Sequence, residues 1–483
     1  MRSPAIEITW QSAIGAFLIS SLVAATYPYI VLKLGIGPNI GVVSAFLGAI
    51  FLNLMVVTTR GRYRFLNNII QTAGASAAST AFMCIIPAAF DLLGQNETVK
   101  LPSPWLMFTW LTCSGIMGVV CTVLFRRLFL DDPGMVFADG VAAAETIQVL
   151  DSDPKVAGPK YRVLGLATLA SALVDFLREG ISVLYKDLSL LPTYYFSQPY
   201  RAGIEWNLLN VGTGLLVGLN VSLSMLLGSL IIAFGVGPWI IESGIGQQMV
   251  EAQIGPSYWS ECQRLVAITH PDSVETAFLS SHCGLLQNLR RHGYFPVVLL
   301  WAMWPATSLM ASSAIMAVVL KWRSVLDTFR KLRLKRTSEH EDISLVSIGV
   351  WASLSAIALV VIQWSYFNMS VLQTSVAILV SLPLILVGIR VLGETNNGPV
   401  SVIVNTLQAF FAVFWPAQIG SSLVAGGVAG HINSQAQGMM QNYKVGMIIG
   451  STPRVLTFVQ LAAVTVGAAA VAIMYPLLVG RYG

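Results

Sequence analysis

Residues 343–389, ISLVSIGVWASLSAIALVVIQWSYFNMSVLQTSVAILVSLPLILVGI, run without a single Asp, Glu, Lys or Arg. A helix needs about 20 apolar residues to cross the hydrocarbon core of a bilayer. This stretch therefore supplies two crossings, near 344–366 and 369–390. Residues 206–241, 292–320 and 395–443 are also free of all four charged residue types. Across all 483 residues, 55% are hydrophobic and 11% charged. Soluble domains carry about 25% charged residues, so this chain could not solvate the two or three cores its length would imply. Soluble enzyme, nucleic-acid binder and disordered scaffold are excluded, and a polytopic membrane protein is left.

Working outward, further full-length candidates lie near 11–32, 38–59, 69–92, 104–126, 160–182, 214–241, 294–320 and 455–479. Shorter apolar stretches, interrupted by Gly or Pro or more polar, lie near 135–149, 206–214, 399–414, 417–430 and 434–450. The expectation is an all-α polytopic protein of roughly 12–16 transmembrane segments, some of them broken or re-entrant half-helices. Asn68-Ile69-Ile70-Gln71 and Asn405-Thr406-Leu407-Gln408 form a faint internal echo, of the kind expected from two pseudo-related halves whose broken helices meet at the midplane.

The net charge of +5 reads as the positive-inside bias of cytoplasmic loops. Arg60, Arg62 and Arg64 follow one span, Arg126 and Arg127 end another, and seven Lys or Arg residues crowd 321–336. This places the N-terminus and a basic linker at 321–343 in the cytoplasm. The linker divides an N-terminal membrane half, 1–320 with a polar loop at about 242–293, from a C-terminal half, 344–483. The loop holds Cys262 and Cys283 near His270 and His282, without the spacing of a metal site. No catalytic constellation, cofactor motif or resident metal set is expected, and none of the motifs of a P-loop pump, zinc protease or voltage sensor occurs. The chain is not expected to be an enzyme.

Polar residues inside a membrane require an explanation, with helix-to-helix hydrogen bonding as the default. Four places go beyond it. Asp139 and Glu145 enter the small-residue run 133–145, where a desolvated carboxylate could carry a proton; a wet amphipathic segment at the cytoplasmic surface is the alternative. Asn68 and Gln71 lie one turn apart, and their amides both donate and accept, as peptide backbones or polar chelates require. Glu394-Thr395-Asn396-Asn397-Gly398-Pro399-Val400-Ser401 cannot continue a helix, and a helix restarting there would aim free N–H groups inward. Finally, His431 to Gly446 packs amides into an apolar context, with Gln437, Gln441 and Lys444 on one helical face and Asn442 beside it.

These segments resemble the oligopeptide transporter family, which also contains the yellow-stripe-like metal-chelate transporters. The resemblance is carried by Asn68-Ile69-Ile70-Gln71-Thr72 through Ala77, with Ile86-Pro87-Ala88 after it; by Phe137-Ala138-Asp139-Gly140 through Glu145; by Thr395-Asn396-Asn397-Gly398-Pro399-Val400-Ser401; and by Ser434-Gln435 through Lys444-Val445-Gly446. Ala138 stands where relatives have Pro, and Gly438 and Asn442 stand where they usually have Asp. Two carboxylates are thereby lost, which shifts any ion coupling to Asp139, Glu145 or Glu394. The resemblance implies a secondary active, proton-coupled importer of small oligopeptides or peptide-like compounds in a prokaryotic plasma (inner) membrane. A substrate path through Asn68, Gln71, Asn396, Asn397, Ser401, Gln437, Gln441, Asn442 and Lys444 fits it. Its partners are then a small-molecule substrate, a coupling proton and the lipid bilayer, with no nucleic acid and with room for a homo-oligomer. The alternatives are a metal–chelate symporter and, further off, a channel or non-transporting sensor.

Overall fold

The computed structural model describes residues 8–34, 37–55, 63–94, 101–151, 154–175, 219–254, 344–396, 398–416 and 418–482, with scattered runs of one to three residues between 177 and 316. Everything described is helix or connection, with no strand among these residues. Two compact units are present. One comprises residues 1–161 and 311–483, and the other residues 162–310.

The larger unit contains α1 (Trp10–Leu34), α2 (Gly41–Leu54), α3 (Tyr63–Ala81), a 3₁₀ turn at Phe82–Cys84, α4 (Ile85–Gly94), α5 (Pro104–Leu130) and α6 (Ala138–Leu150). Helix α7 (Pro154–Asp175) runs out of it. The smaller unit contains α8 (Leu219–Ile231), a π-helical turn at Ile232–Val236, α9 (Gly237–Glu242) and α10 (Ile245–Ile254). The larger unit resumes with α11 (Leu345–Tyr366), α12 (Val371–Thr395), α13 (Val400–Phe414), α14 (Ile419–Ile449) and α15 (Pro453–Tyr482). Among the described residues, seven helices are long and apolar enough to cross a membrane: Trp10–Lys33, Tyr63–Asp91, Pro104–Arg126, Ser222–Ile240, Val346–Tyr366, Val371–Glu394 and Pro453–Gly480. The opening stretch becomes α11 and α12, separated by Asn368 at φ 52° and restarted by a capping box between Ser370 and Gln373.

Helix α11 shows how the bundle meets lipid. Val346, Val350, Leu354, Ile357, Val361 and Trp364 are exposed at helical spacing, whereas Ile348, Ser355, Leu359 and Gln363 are buried. The most apolar face points outward and the polar groups point inward. This inversion of the soluble pattern is what a hydrocarbon solvent imposes.

The centre of the unit is α14, packed against α3, α5, α6, α12, α13 and α15. From Val424 to Tyr443 it is buried on nearly every side although it carries His431, Asn433, Gln435, Gln437, Gln441 and Asn442. The sequence reading expected two short stretches here, at 417–430 and 434–450. Instead one continuous helix of 31 residues runs from Ile419 to Ile449. The glycines that suggested a break serve packing. A Cβ on Gly430 would stand 2.4 Å from Val404 of α13, so the small residue lets the neighbour close in while α14 keeps its hydrogen bonds. The expected full span at 38–59 is likewise corrected, because α2 is a 14-residue helix. It carries Ser44 and Gly48 against α3 and cannot cross a bilayer core at about 1.5 Å per residue. The short stretches 135–149 and 399–414 do appear as half-length helices, α6 and α13.

The linker 321–343, Asn397 and most of the 242–293 loop, including His270, His282 and Cys283, lie outside the described residues. Cys262 is in a disulfide.

Candidate functional site

Half-helix α6 begins where α12 ends. Val136 and Phe137 donate their backbone N–H groups to the carbonyl of Gly393, at 2.9 and 3.2 Å. The approach needs glycine, since a Cβ at 393 would stand 2.7 Å from the Met135 sulfur. Phe137, in the left-handed region, turns the chain into α6, and Asn396, also left-handed, ends α12. Both turns bring polar side chains to one point.

That point is Asp139, half-buried in the first turn of α6, where the helix dipole favours an anion. The Asn396 amide donates to Asp139 Oδ1 at 2.7 Å, and its Oδ1 accepts from the Asp139 backbone N–H at 3.0 Å. Asn39, just ahead of α2, donates through Nδ2 to Asp139 Oδ2 at 2.9 Å and to Gln441 Oε1 at 2.5 Å. Gln441 Nε2 reaches the same carboxylate oxygen at 3.5 Å. Three amides from three separate elements thus surround one carboxylate. Lys444, a turn further along α14, donates to the Met135 carbonyl at 3.3 Å. Gly140 admits α14 at this crossing, because a Cβ there would lie 2.8 Å from the Gln441 carbonyl.

Along the same face of α14, Gln437 and Asn433 continue toward the junction of α12 and α13. A Cβ on Gly388 of α12 would meet Asn433 Oδ1 and Gln437 Nε2 at 2.7 Å each. Those two atoms are buried without a hydrogen-bond partner among the described residues. The structure therefore brings together Asp139, Asn396, Gln437, Gln441 and Lys444 on one side of α14. Asn39 joins them although no pattern in its short segment distinguishes it from a loop asparagine.

The opposite side of α14 holds a second set. Gln71 donates to Asn442 Oδ1 at 3.1 Å, Asn442 to Gln460 Oε1 at 2.9 Å, and Gln460 to both oxygens of Gln435 at 3.0 and 3.1 Å. Gln435 in turn donates to Thr80 Oγ1 at 2.7 Å and to the Ser76 carbonyl at 3.1 Å. Asn68 donates to Ser451 Oγ at 2.7 Å. Gln71, Asn442 and Asn68 thus lock α3, α14 and α15 together. Sequence reading missed Gln460, a lone amide in an otherwise apolar span, for which intramembrane polarity was the available signal. Gln460→Leu should leave Gln435 and Asn442 short of partners and lower stability by about 1–2 kcal/mol, between the soluble-protein and membrane ranges. Thermal unfolding in detergent measures this, and an unchanged Tm would show that the ladder does not hold these helices together.

Three named residues stand apart from both sets. Glu145 is exposed on α6, Ser401 is exposed in the first turn of α13, and Glu394 pairs with Arg390 at 2.9 Å. Among the described residues there is no group of His, Cys, Asp and Glu that could hold a metal ion.

A helical bundle that hides polar, amide-lined clusters behind apolar outer faces, with several helices long enough to span a bilayer, is that of a multi-pass integral membrane protein. The family model described as "OPT oligopeptide transporter protein" matches residues 7–483. The chain belongs to that family. It is 25% identical over 174 residues to a "Putative oligopeptide transporter" of Haemophilus influenzae, covering 35% of this chain and 26% of that one. It is 37% identical over 89 residues to a protein of the same description in Saccharomyces cerevisiae, covering 18% and 12%. It is 26% identical over 258 residues to a "Probable metal-nicotianamine transporter" of Oryza sativa subsp. japonica, covering 47% and 34%. The matched segments thus span about a third or less of these relatives' own lengths.

Proposed function

We propose that the protein is a secondary active importer of small oligopeptides or peptide-like compounds, driven by protons across a prokaryotic plasma membrane. The N-terminus and the basic linker face the cytoplasm in this reading. The observation that carries it is the carboxylate of Asp139, held by the amides of Asn39, Asn396 and Gln441 and paired with no Lys or Arg among the described residues. Amides accept and donate at once, so they can exchange their mutual bonds for those of a peptide group. A carboxylate among them offers a site for the ammonium end of a peptide. The unpartnered atoms of Asn433 and Gln437 extend the same surface. Leaving such groups unpaired costs about 1–3 kcal/mol each in a buried site, a cost that a polar substrate passing along α14 would relieve. Asn397 belongs to the loop in this reading, and Glu145 and Glu394 remain candidate proton groups at the edges.

The family match to a metal-nicotianamine transporter favours a second reading, in which the cargo is a metal already wrapped by its chelator. Such a cargo needs no ligand set from the protein and would still meet the same amides and carboxylate.

The two readings separate in a thermal-shift screen of the purified protein against di-, tri- and tetrapeptides alongside ferric and nickel chelates. A ligand that binds only the folded state at a hundred times its Kd stabilises it by about 2.7 kcal/mol. Peptides should raise Tm, and a rise with chelates alone would overturn the peptide reading in favour of the second.

A further inference from the structure

Half-helix α13 begins deep in the bundle. A Cβ on Gly398, just ahead of its first residue Val400, would stand 3.3 Å from Gln437 Cδ of α14. Gln437 precedes Ile449, the last residue of α14, by three turns and more, about 18 Å along the axis. The hydrocarbon core is about 30 Å thick, so α13 opens near the midplane. The opening N–H groups of a helix have no partner within it. Here Pro399 stands at the cap and makes no side-chain bond to the turn, which also holds no acidic residue. Val400 and Ile403 donate to the Gly398 and Pro399 carbonyls at 2.9 and 3.0 Å, whereas the N–H groups of Ser401 and Val402 find no acceptor among the described residues. Gly398, Pro399 and Val400 are half-buried and Ser401 is exposed, so the turn can be reached.

The Gln437 side chain is aimed at this opening. It is 5% exposed. Its Oε1 lies against Gly398, and its Nε2 is buried without a hydrogen-bond partner among the described residues. Turning the amide over would carry the N–H₂ end from Gly388 toward Gly398, closer to α13, so the donor serves the same place in either setting. One turn earlier, Asn433 is fixed by donating Nδ2 to the Ala429 carbonyl at 3.2 Å, which leaves its Oδ1 buried and unpaired. The starts of α2 and α6 are filled differently. Gly41 donates to Asn39 Oδ1 at 2.8 Å, Asp139 donates its N–H to Asn396 Oδ1, and the Asp139 carboxylate itself occupies the first turn of α6. A helix start favours an anion, and α6 supplies its own where α13 does not.

We infer that the open start of α13, together with Gln437, binds the carboxylate end of the cargo while Asp139 holds its ammonium end. The inference rests on the peptide reading above and adds which group of the cargo each half-helix receives. Gln437 and Gln441 are one turn apart on α14, about 6 Å along the axis. Asn396, which bonds Asp139, precedes Gly398 by two residues, at most about 7 Å of chain. An extended tripeptide spans up to about 10 Å, so one short zwitterion reaches both ends of the site. The site lies across α14 from the Gln71–Asn442–Gln460 ladder, which stays closed when it fills. Lys444, the cation on the same face, donates to the Met135 carbonyl and is the competing place for a carboxylate.

The test is calorimetric titration of the purified protein with trialanine and with trialanine amide, in which a neutral group replaces the carboxylate. Wild type should bind trialanine about tenfold more tightly, the weight of a charge-assisted bond. Gln437→Leu keeps much of the side-chain volume and removes the amide. It should weaken trialanine alone and bring the two peptides within about twofold of each other. Gln437→Met takes its place should the Leu variant not be recovered folded. Equal affinities in wild type would overturn the inference and leave the peptide reading standing. A variant that keeps the full preference for trialanine would assign the carboxylate to Lys444 and overturn the role of α13. Binding of neither tripeptide to wild type would overturn the peptide reading, and this inference with it.

Discussion

Asp139→Asn should reduce substrate uptake at least about tenfold while leaving a folded, monodisperse protein, because each lost bond to a charged acceptor is worth about 1.5–3 kcal/mol. The carboxylate accepts from Asn39, Asn396 and Gln441 at once. An asparagine there keeps the shape but replaces one acceptor oxygen by a donor, so at least one of the three amides meets another N–H group. The site also loses the one anion it could offer to a cationic group of the substrate. The surrounding packing barely changes, since the two side chains are nearly isosteric, and Tm should fall by only a few degrees. Asn396→Gly is the companion variant. Glycine accepts the left-handed backbone at φ 59° but removes the amide, so uptake should fall again without backbone strain. Uptake measured at matched protein levels decides both. Asp139→Asn with unchanged transport would remove the carboxylate from the mechanism.

Gly118→Val should prevent recovery of folded protein. On α5, a Cβ at residue 118 would lie 2.4 Å from the Ile432 backbone carbonyl oxygen and 3.0 Å from Gln435 Cβ. Backbone of a fully enclosed helix cannot step aside, so α5 must separate from α14 along their whole contact. Overpacking a core costs about 1–3 kcal/mol when side chains can adjust, and here they cannot. The displacement would also break the Ser114–His431 and Gln435–Gln460 bonds. Size-exclusion profile and thermal unfolding would report the loss. Wild-type behaviour from the variant would show that the close approach of α5 and α14 is dispensable. Gly140→Ala, facing the Gln441 carbonyl at 2.8 Å, should act in the same direction but more weakly, because α6 is only 13 residues long and can shift as a unit.

The membrane class was legible from the charge-free runs because the bilayer acts on composition directly, one residue at a time. Residues 343–389 became α11 and α12 within a few residues of their expected ends. The half-length helices α6 and α13 were also legible, because Asp-Pro-Gly and Asn-Gly-Pro at their approaches cannot continue a helix. Helix α14 was not. Its glycines and amides read as interruptions, since a polar helix has no reason to exist in lipid by itself. It exists because apolar helices enclose it, and no local pattern records that enclosure.

Among the candidate residues, the face shared by Gln437, Gln441 and Lys444 followed from helical periodicity alone. Pairings between distant segments did not. Asn39 lies 402 positions from Gln441 and 100 from Asp139, and Gln460 appeared as a single amide in an apolar span. By itself, then, the sequence determined that the chain is a helical membrane protein of the oligopeptide transporter family and which residue types it carries at membrane depth. Only the tertiary structure decided which of them meet. Asp139, Asn39, Asn396 and Gln441 form a cluster around one carboxylate, whereas Gln71, Asn442 and Gln460 became a lock between helices. The physical reason is that an amide's role is set by the partner across from it, and that partner comes from a different helix.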